Sequence, residues 1–303
     1  MKKLHMRGAI LWVLLVAIGG IQAVRATDEA IAFGIDDFSG WNACIGDPDF
    51  DLSHSIDMAE AFDDAFDDWE AEGRWDISQI YRDTAVDDRD WVDGDFAAEP
   101  WGADDDEMYG ADHADVAMIS THGSSSSSGS TPYSEIEMGD DDNETCTPTT
   151  NQMKFGDGGS GNDMEIAIIA ACQSAQLPVY EGHGYDTLDG ESLNTWLGFH
   201  GDSLDSSSDV NHFEDFVKDS RVNGLGDNWV DEMYRNNVWI GNVVTGWEIR
   251  DECPAAVIFA ESEAKCDLVH DYGGFSDRDK EGTHTLVCYY ALDGCNPASG
   301  AAL

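Results

Sequence analysis

Basic residues are scarce in this chain of 303 residues: 15 Lys and Arg stand against 62 Asp and Glu, a formal charge of −47. A phosphate backbone or an anionic lipid surface is held by a basic patch, and the few Lys and Arg here are scattered among carboxylates. Nucleic acid and anionic membranes are therefore excluded as natural partners. Long apolar runs are missing too, since nothing after residue 26 reaches the roughly 18–20 apolar residues of a spanning helix. There is no Cys-x-x-Cys pair, no helical pair of histidines and no Gly-x-Ser-x-Gly turn, so the common zinc sites and the serine-hydrolase elbow have no support. Neither an internal repeat nor a domain linker is evident.

Residues 1–26 read as a secretory signal peptide, with Lys2, Lys3 and Arg7 before the apolar run Ala9–Ile18 and small residues at Ala23 and Ala26 for cleavage. Removing its four basic residues leaves 11 against 62 acidic ones, a formal charge of −51 on about 277 residues. That length suits one large α/β domain. The expectation is an exported protein, secreted, periplasmic or at the cell surface, with no membrane attachment once the leader is gone. Two explanations fit its acidity. One is solubility in high salt, where counterions screen repulsion between carboxylates. The other is Ca²⁺, which takes oxygen ligands from clusters such as Asp104–Glu107, Asp140–Asn143 and Asp157–Asp163. None of these has EF-hand spacing, so Ca²⁺ stays open and no other cofactor is implied.

Seven cysteines in an exported chain invite pairing and leave one over. Cys172 ends an apolar run and is assigned as the free thiol. Cys44, Cys146, Cys253, Cys266, Cys288 and Cys295 fall in or beside loops. The simplest pairing is local, Cys253 with Cys266 and Cys288 with Cys295, leaving Cys44 with Cys146, although 15 pairings are formally open.

Two short apolar runs dominate the middle of the chain. Asp115–Thr121 leads into His122-Gly123, and Glu165–Ala171 leads into Cys172. Consecutive apolar positions over so few residues predict strands buried on both faces of a parallel sheet, which places functional groups just past strand C-termini. Around them the pattern predicts strands at Ala30–Ile35, Ile77–Tyr81, Trp196–His200, Val238–Val244, Ala256–Ala260 and Thr285–Tyr290. An amphipathic helix is predicted from Ile56 to Trp69, a helical crossover at Glu191–Trp196, and helix from Phe213 resuming near Trp229 to Tyr234. Met153–Gly156 reads as a short strand or edge segment. Ser124–Ser130 reads as a mobile loop, a gate over the site or a solvated linker. The alternation of strands and helices predicts an α/β fold.

A Cys thiolate attacks carbonyls, a nearby His carries its proton, and a glycine amide approaches a developing oxyanion closely. Cys172, His122 and Gly123 are accordingly the candidate catalytic residues. His-Gly recurs at His183 and His200. His183 reads as surface, His200 as a rival base beside Asp202 and Ser203, and His113 as solvated.

An apolar block ending in His-Gly and a second ending in Ala-Cys resemble the caspase-like cysteine peptidases, the clan of caspases, legumain, clostripain and the gingipains. Over residues 112 to 200 the resemblance implies a caspase-like, mostly parallel sheet with helices on both faces. It also implies a Cys172–His122 dyad, an oxyanion amide from Gly123, and a protein or peptide substrate. The domain would run from 27 to 250, with the Cys-containing strands of 251–303 part of it. Caspases carry Gln before the Ala-Cys, whereas Ala170 stands here and Gln173-Ser174 follow, so cleavage preference is not carried over. Two further readings stay open: an inactive caspase-like secreted binding or surface protein, and an acidic, salt-adapted Ca²⁺-binding protein.

Overall fold

The structure, a computed structural model, describes residues 28–38, 51–70, 75–94, 102–104, 110–128, 131–139, 146–153, 155, 164–181, 193–222, 224–242, 246–275, 284–297 and 303. The leader, Cys44, His183 and the acidic loops 105–107, 140–143 and 157–163 lie outside them. Strands β1 (Asp28–Gly34), β2 (Trp75–Arg82), β3 (Val116–Ser120), β6 (Ile166–Ala170), β7 (Thr195–Phe199), β10 (Pro254–Ala260) and β11 (Leu286–Ala291) form one sheet. Its order is β11-β10-β7-β6-β3-β1-β2. The five strands from β2 to β7 are parallel, and β10 runs antiparallel to both its neighbours.

Side chains alternate across a strand, so each central strand feeds two cores. Met118, Ile168, Leu197, Phe199 and Ile258 face one side. There they meet helices α1 (Ser55–Glu70), α3 (Ser207–Asp219), α4 (Leu225–Met233) and α5 (Glu263–Tyr272). Ala117, Ile119, Ile169, Trp196 and Val257 face the other side. That side is covered by the short α2 (Leu177–Glu181) and by irregular chain carrying Trp91, Met138, Met153 and Phe155. The expected α/β architecture is present, with the long helices gathered on one face.

Two hairpins stand outside the sheet, β4 (Gly123–Ser128) with β5 (Thr131–Ile136) and β8 (Arg235–Asn242) with β9 (Gly246–Glu252). The first corrects the expectation of a loop at Ser124–Ser130: Ser124 to Ser128 pair with Glu135 to Thr131. Serine alternates as readily as any polar residue on a strand that packs one face, and the absence of apolar side chains hid that period. Met153 and Phe155 are fully buried but sit in turns, so their apolarity reflects core filling and not a strand. The crossover between β6 and β7 carries a helix at Leu177–Glu181; of the expected helix Glu191–Trp196, residues 191 and 192 lie outside the described residues, and Thr195 and Trp196 belong to β7.

The disulfides also differ from the local guess. Cys253 pairs with Cys295 and Cys266 with Cys288. Cys266 on α5 lies against Cys288 on β11, and Cys253 at the start of β10 against the turn after β11, so the two bridges nest about the β10–β11 pairing. Among the described residues no helix is long and apolar enough to cross a membrane.

Trp229 anchors the helical face. Its indole N–H donates to the Gly198 carbonyl at 3.0 Å, and its rings pack on Phe199, Phe213 and Phe216. Trp229→Ala is expected to cost about 3–5 kcal/mol in denaturant unfolding, the range of a large buried truncation.

Candidate active site

Strands β3 and β6 are neighbours in register, Ser120 opposite Ala170, so the chain leaves the sheet at two adjacent points. From β3 it passes through Thr121 and His122 into the β4–β5 hairpin. From β6 it turns at Ala171–Ala175 towards α2. The two exits touch. A Cβ on Gly123 would stand 2.4 Å from the Cys172 carbonyl oxygen and 3.0 Å from the Ala171 Cβ, so only glycine fits. His122 is half-buried, with its ring 4.6 Å from that of Phe38 at the end of the β1 segment.

The backbone amides of the two turns are oriented by their surroundings. Glu137 N–H donates to the His122 carbonyl at 3.0 Å, and Gly123 stands opposite Ile136. In an antiparallel ladder that makes Gly123–Ile136 a non-hydrogen-bonded pair, whose N–H groups point away from the partner strand. The Cys172 N–H has no acceptor among the described residues.

Gln173 follows with φ of 58°, a left-handed conformation that a non-glycine residue holds only when its surroundings over-determine it. Here they do. Its N–H donates to the Gly201 carbonyl at 2.7 Å, and its carbonyl accepts from the Ser134 hydroxyl at 2.7 Å. Its side-chain oxygen accepts from Ser125 at 2.8 Å and from Gln176 at 3.0 Å, and its amide nitrogen donates to Asp202 at 3.2 Å. Gln173, Ser125 and Ser134 thus fix the turn that carries Cys172. None was legible as a site residue, because a serine tract signals a linker until its strand pairing is known.

The Cys172 thiol is free. Its Sγ accepts from the Ser203 N–H at 3.3 Å and lies 3.7 Å from the Ser203 Oγ. Burial pushes the thiol up to about 12, the charges of Asp202 and Glu252 add to this, and the Ser203 hydrogen bonds oppose it. The resting group is therefore a neutral thiol. Glu252, fully buried at the end of β9, is itself held well above the usual carboxylate range by burial and the Asp209 charge, against the Leu204 N–H and Arg235.

The other histidines have separate settings. His200 is buried, and its Nδ1 accepts from the Leu177 N–H at 2.9 Å with the Tyr289 hydroxyl at 3.3 Å. Its proton therefore sits on Nε2, and the ring serves the start of α2. His113 is half-buried beside Glu29 at 3.3 Å, where the sequence suggested a solvated ring. Among the described residues no group of three or more His, Cys, Asp or Glu is arranged to hold a metal ion. Comparison with protein families, characterised proteins and solved structures finds no match for this chain.

Two measurements check this geometry. Alkylation of the native protein by iodoacetamide, mapped by mass spectrometry, should label Cys172 with a midpoint well above the roughly 8.5 of a free thiol, and more slowly at pH 7 than after denaturation. Gly123→Ala should cost about 1–3 kcal/mol in denaturant unfolding, as overpacking does, and an unchanged midpoint would mean that the two turns are not in contact.

Proposed function

We propose that this chain is an exported, caspase-like cysteine peptidase in which Cys172 is the nucleophile and His122 its acid/base. The observation that carries this reading is the seating of Gly123 on Cys172, where both amide N–H groups are left out of the ladder. Two such donors beside a free thiol support the reading of an oxyanion site for a carbonyl placed against the sulfur. The two disulfides support export, since such bridges persist in oxidising compartments.

The step follows from the neutral thiol. The substrate carbonyl oxygen sits between the Gly123 and Cys172 amides. His122 takes the thiol proton as the S–C bond forms, and the negative charge passes to the oxygen held by the two N–H groups. Collapse breaks the C–N bond, and His122 returns the proton to the leaving amine. Water then attacks the thioester, its proton passing through His122, and releases the acid and the free thiol. No preformed thiolate is involved, and the base acts only when a substrate is aligned.

The raised thiol also favours a second reading, a caspase-like secreted binding module without hydrolysis. A fluorogenic peptide library carrying basic, acidic and apolar residues before the cleaved bond separates the two. Wild-type hydrolysis that falls roughly 10³-fold or more in both Cys172→Ala and His122→Ala supports the peptidase. Activity unchanged in both variants, or no hydrolysis by the folded wild type at any pH, overturns it and leaves the binding module.

A further inference from the structure

Across the hairpin from His122 stands Glu137. The hydrogen bond from Glu137 N–H to the His122 carbonyl, together with the Gly123–Ile136 register, makes the two residues directly opposed. Side chains so opposed share one face of an antiparallel ladder with Cβ atoms about 4.5–5.5 Å apart. The next pair along that face bears this out, since the Ser124 hydroxyl donates to the Glu135 carboxylate at 2.9 Å. The Thr121 hydroxyl donates to the Glu137 carbonyl at 2.7 Å and secures the backbone. The Glu137 carboxyl itself is half-buried and has no hydrogen-bond or ion-pair partner among the described residues.

We infer that Glu137 is a positioning residue for His122: set across the β4–β5 ladder on the imidazole's face, its carboxylate stabilises the imidazolium formed when His122 takes up the Cys172 proton. The inference rests on the reading of His122 as the base. Two observations make the role physical. The surroundings of Cys172 reject a thiolate, so no thiolate pairs with the imidazolium before the substrate reacts, and a carboxylate opposite the ring adds a counter-charge on its own side of the hairpin. Burial, and then the Glu135 charge, push Glu137 up to about 7, so it exchanges its proton in the range where an imidazole does. A cation forming opposite draws it into the ionised state. Of the titratable groups nearby, Glu135 shares its face and His122 opposes it. Cys146 lies on the segment behind, whose carbonyl accepts from Met138 N–H. Tyr180 and Glu181 lie on α2, which packs against β5. Only Glu135 acts appreciably on its charge.

The test is the titration of His122 by NMR in histidine-labelled protein, the resonance assigned by its loss in His122→Asn. In Glu137→Gln the His122 midpoint should fall by about half a pH unit or more, the Coulombic effect of one partly screened charge at this range. The acid limb of the kcat/KM profile for peptide hydrolysis should move down with it. A raised carboxyl weakens the fold as pH rises from its unfolded value towards 7, so the variant should be at least as heat-stable as wild type at pH 8, which controls for folding. An unchanged His122 midpoint in the folded variant overturns the inference, as does a loss of hydrolysis confined to KM, which would place Glu137 in substrate binding. The titration needs no substrate. A midpoint that falls in a protein that cleaves nothing supports the coupling and sinks the peptidase reading alone.

Discussion

The in-register pairing of β3 with β6 at the middle of the sheet is the constraint on which the rest depends. All five residues of each strand are buried, one set against the helical core and the other against Trp91, Phe155 and their neighbours. A slip of one residue would exchange the two faces of a strand, sending Met118 towards the pocket that Ala117 fills, so the register is strongly specified. Because it is, the exits at Ser120 and Ala170 are fixed beside each other, and Gly123 must lie on Cys172. The site inherits its geometry from hydrophobic burial that has no chemistry of its own.

Acidity enters this fold as structure as well as surface. Backbone N–H groups at loop ends are repeatedly received by carboxylates distant in sequence. Asp83 takes those of Asp36 and Asp37, Asp205 those of Ser53 and His54, and Asp36 that of Ile56 at the start of α1. Asp112 takes that of Met164 before β6, and Asp251 those of Asn237 and Asn296. Orphan amides at loop and helix ends need acceptors, and a charged acceptor makes the stronger bond. Part of the excess charge thus holds loops onto the sheet. The rest of it remains a salt-dependent surface field. The loops that suggested Ca²⁺ lie mostly outside the described residues, and Asp104, which is described, is buried next to the Asp112 turn, its carbonyl accepting the Asp112 N–H at 2.9 Å.

The central strands were legible because two-sided burial writes a continuous apolar run, and α1 because Met58, Phe62, Phe66 and Trp69 recur at helical spacing. The β4–β5 hairpin was illegible for the converse reason. β4 brings only Gly123 and serines to the packed face, whose apolar side chain, Ile136, comes from β5, so burial left no period in the hydropathy of the serine tract. α5 was missed because Glu263–Tyr272 buries little beyond Cys266 and His270, too narrow a stripe to show a period. The disulfides followed the β10–β11 pairing and not chain proximity, and pairing between distant strands is set by tertiary structure. At the site, His122, Gly123 and Cys172 could be named from strand ends. Gln173 and Ser203, which hold Cys172, could not, since their roles rest on a left-handed turn and a hydrogen bond across 31 positions.

The negative field around Cys172 constrains any chemistry done there. Asp202 and Glu252 disfavour a thiolate, and the same field favours a cation placed nearby. Moving a proton from sulfur to imidazole therefore loses on one atom what it gains on the other, and the balance falls to the groups that receive the remaining negative charge. An oxyanion formed in this field is stabilised only by donors already in position, because amides that had to reorient would forfeit the advantage of preorganisation. In the proposed reading this gives the Gln173 turn a physical purpose. A left-handed residue held by Gly201, Ser134, Ser125 and Asp202 costs conformational energy, of order 1–3 kcal/mol for such strain, and the same bonds fix the turn that carries the Cys172 N–H. A relaxed turn would leave the thiol in place and the amide unaimed. In the proposed reaction the strain, the buried acids and the glycine contact belong to one arrangement, in which the resting thiol is kept neutral and the developing charge is received by the amides.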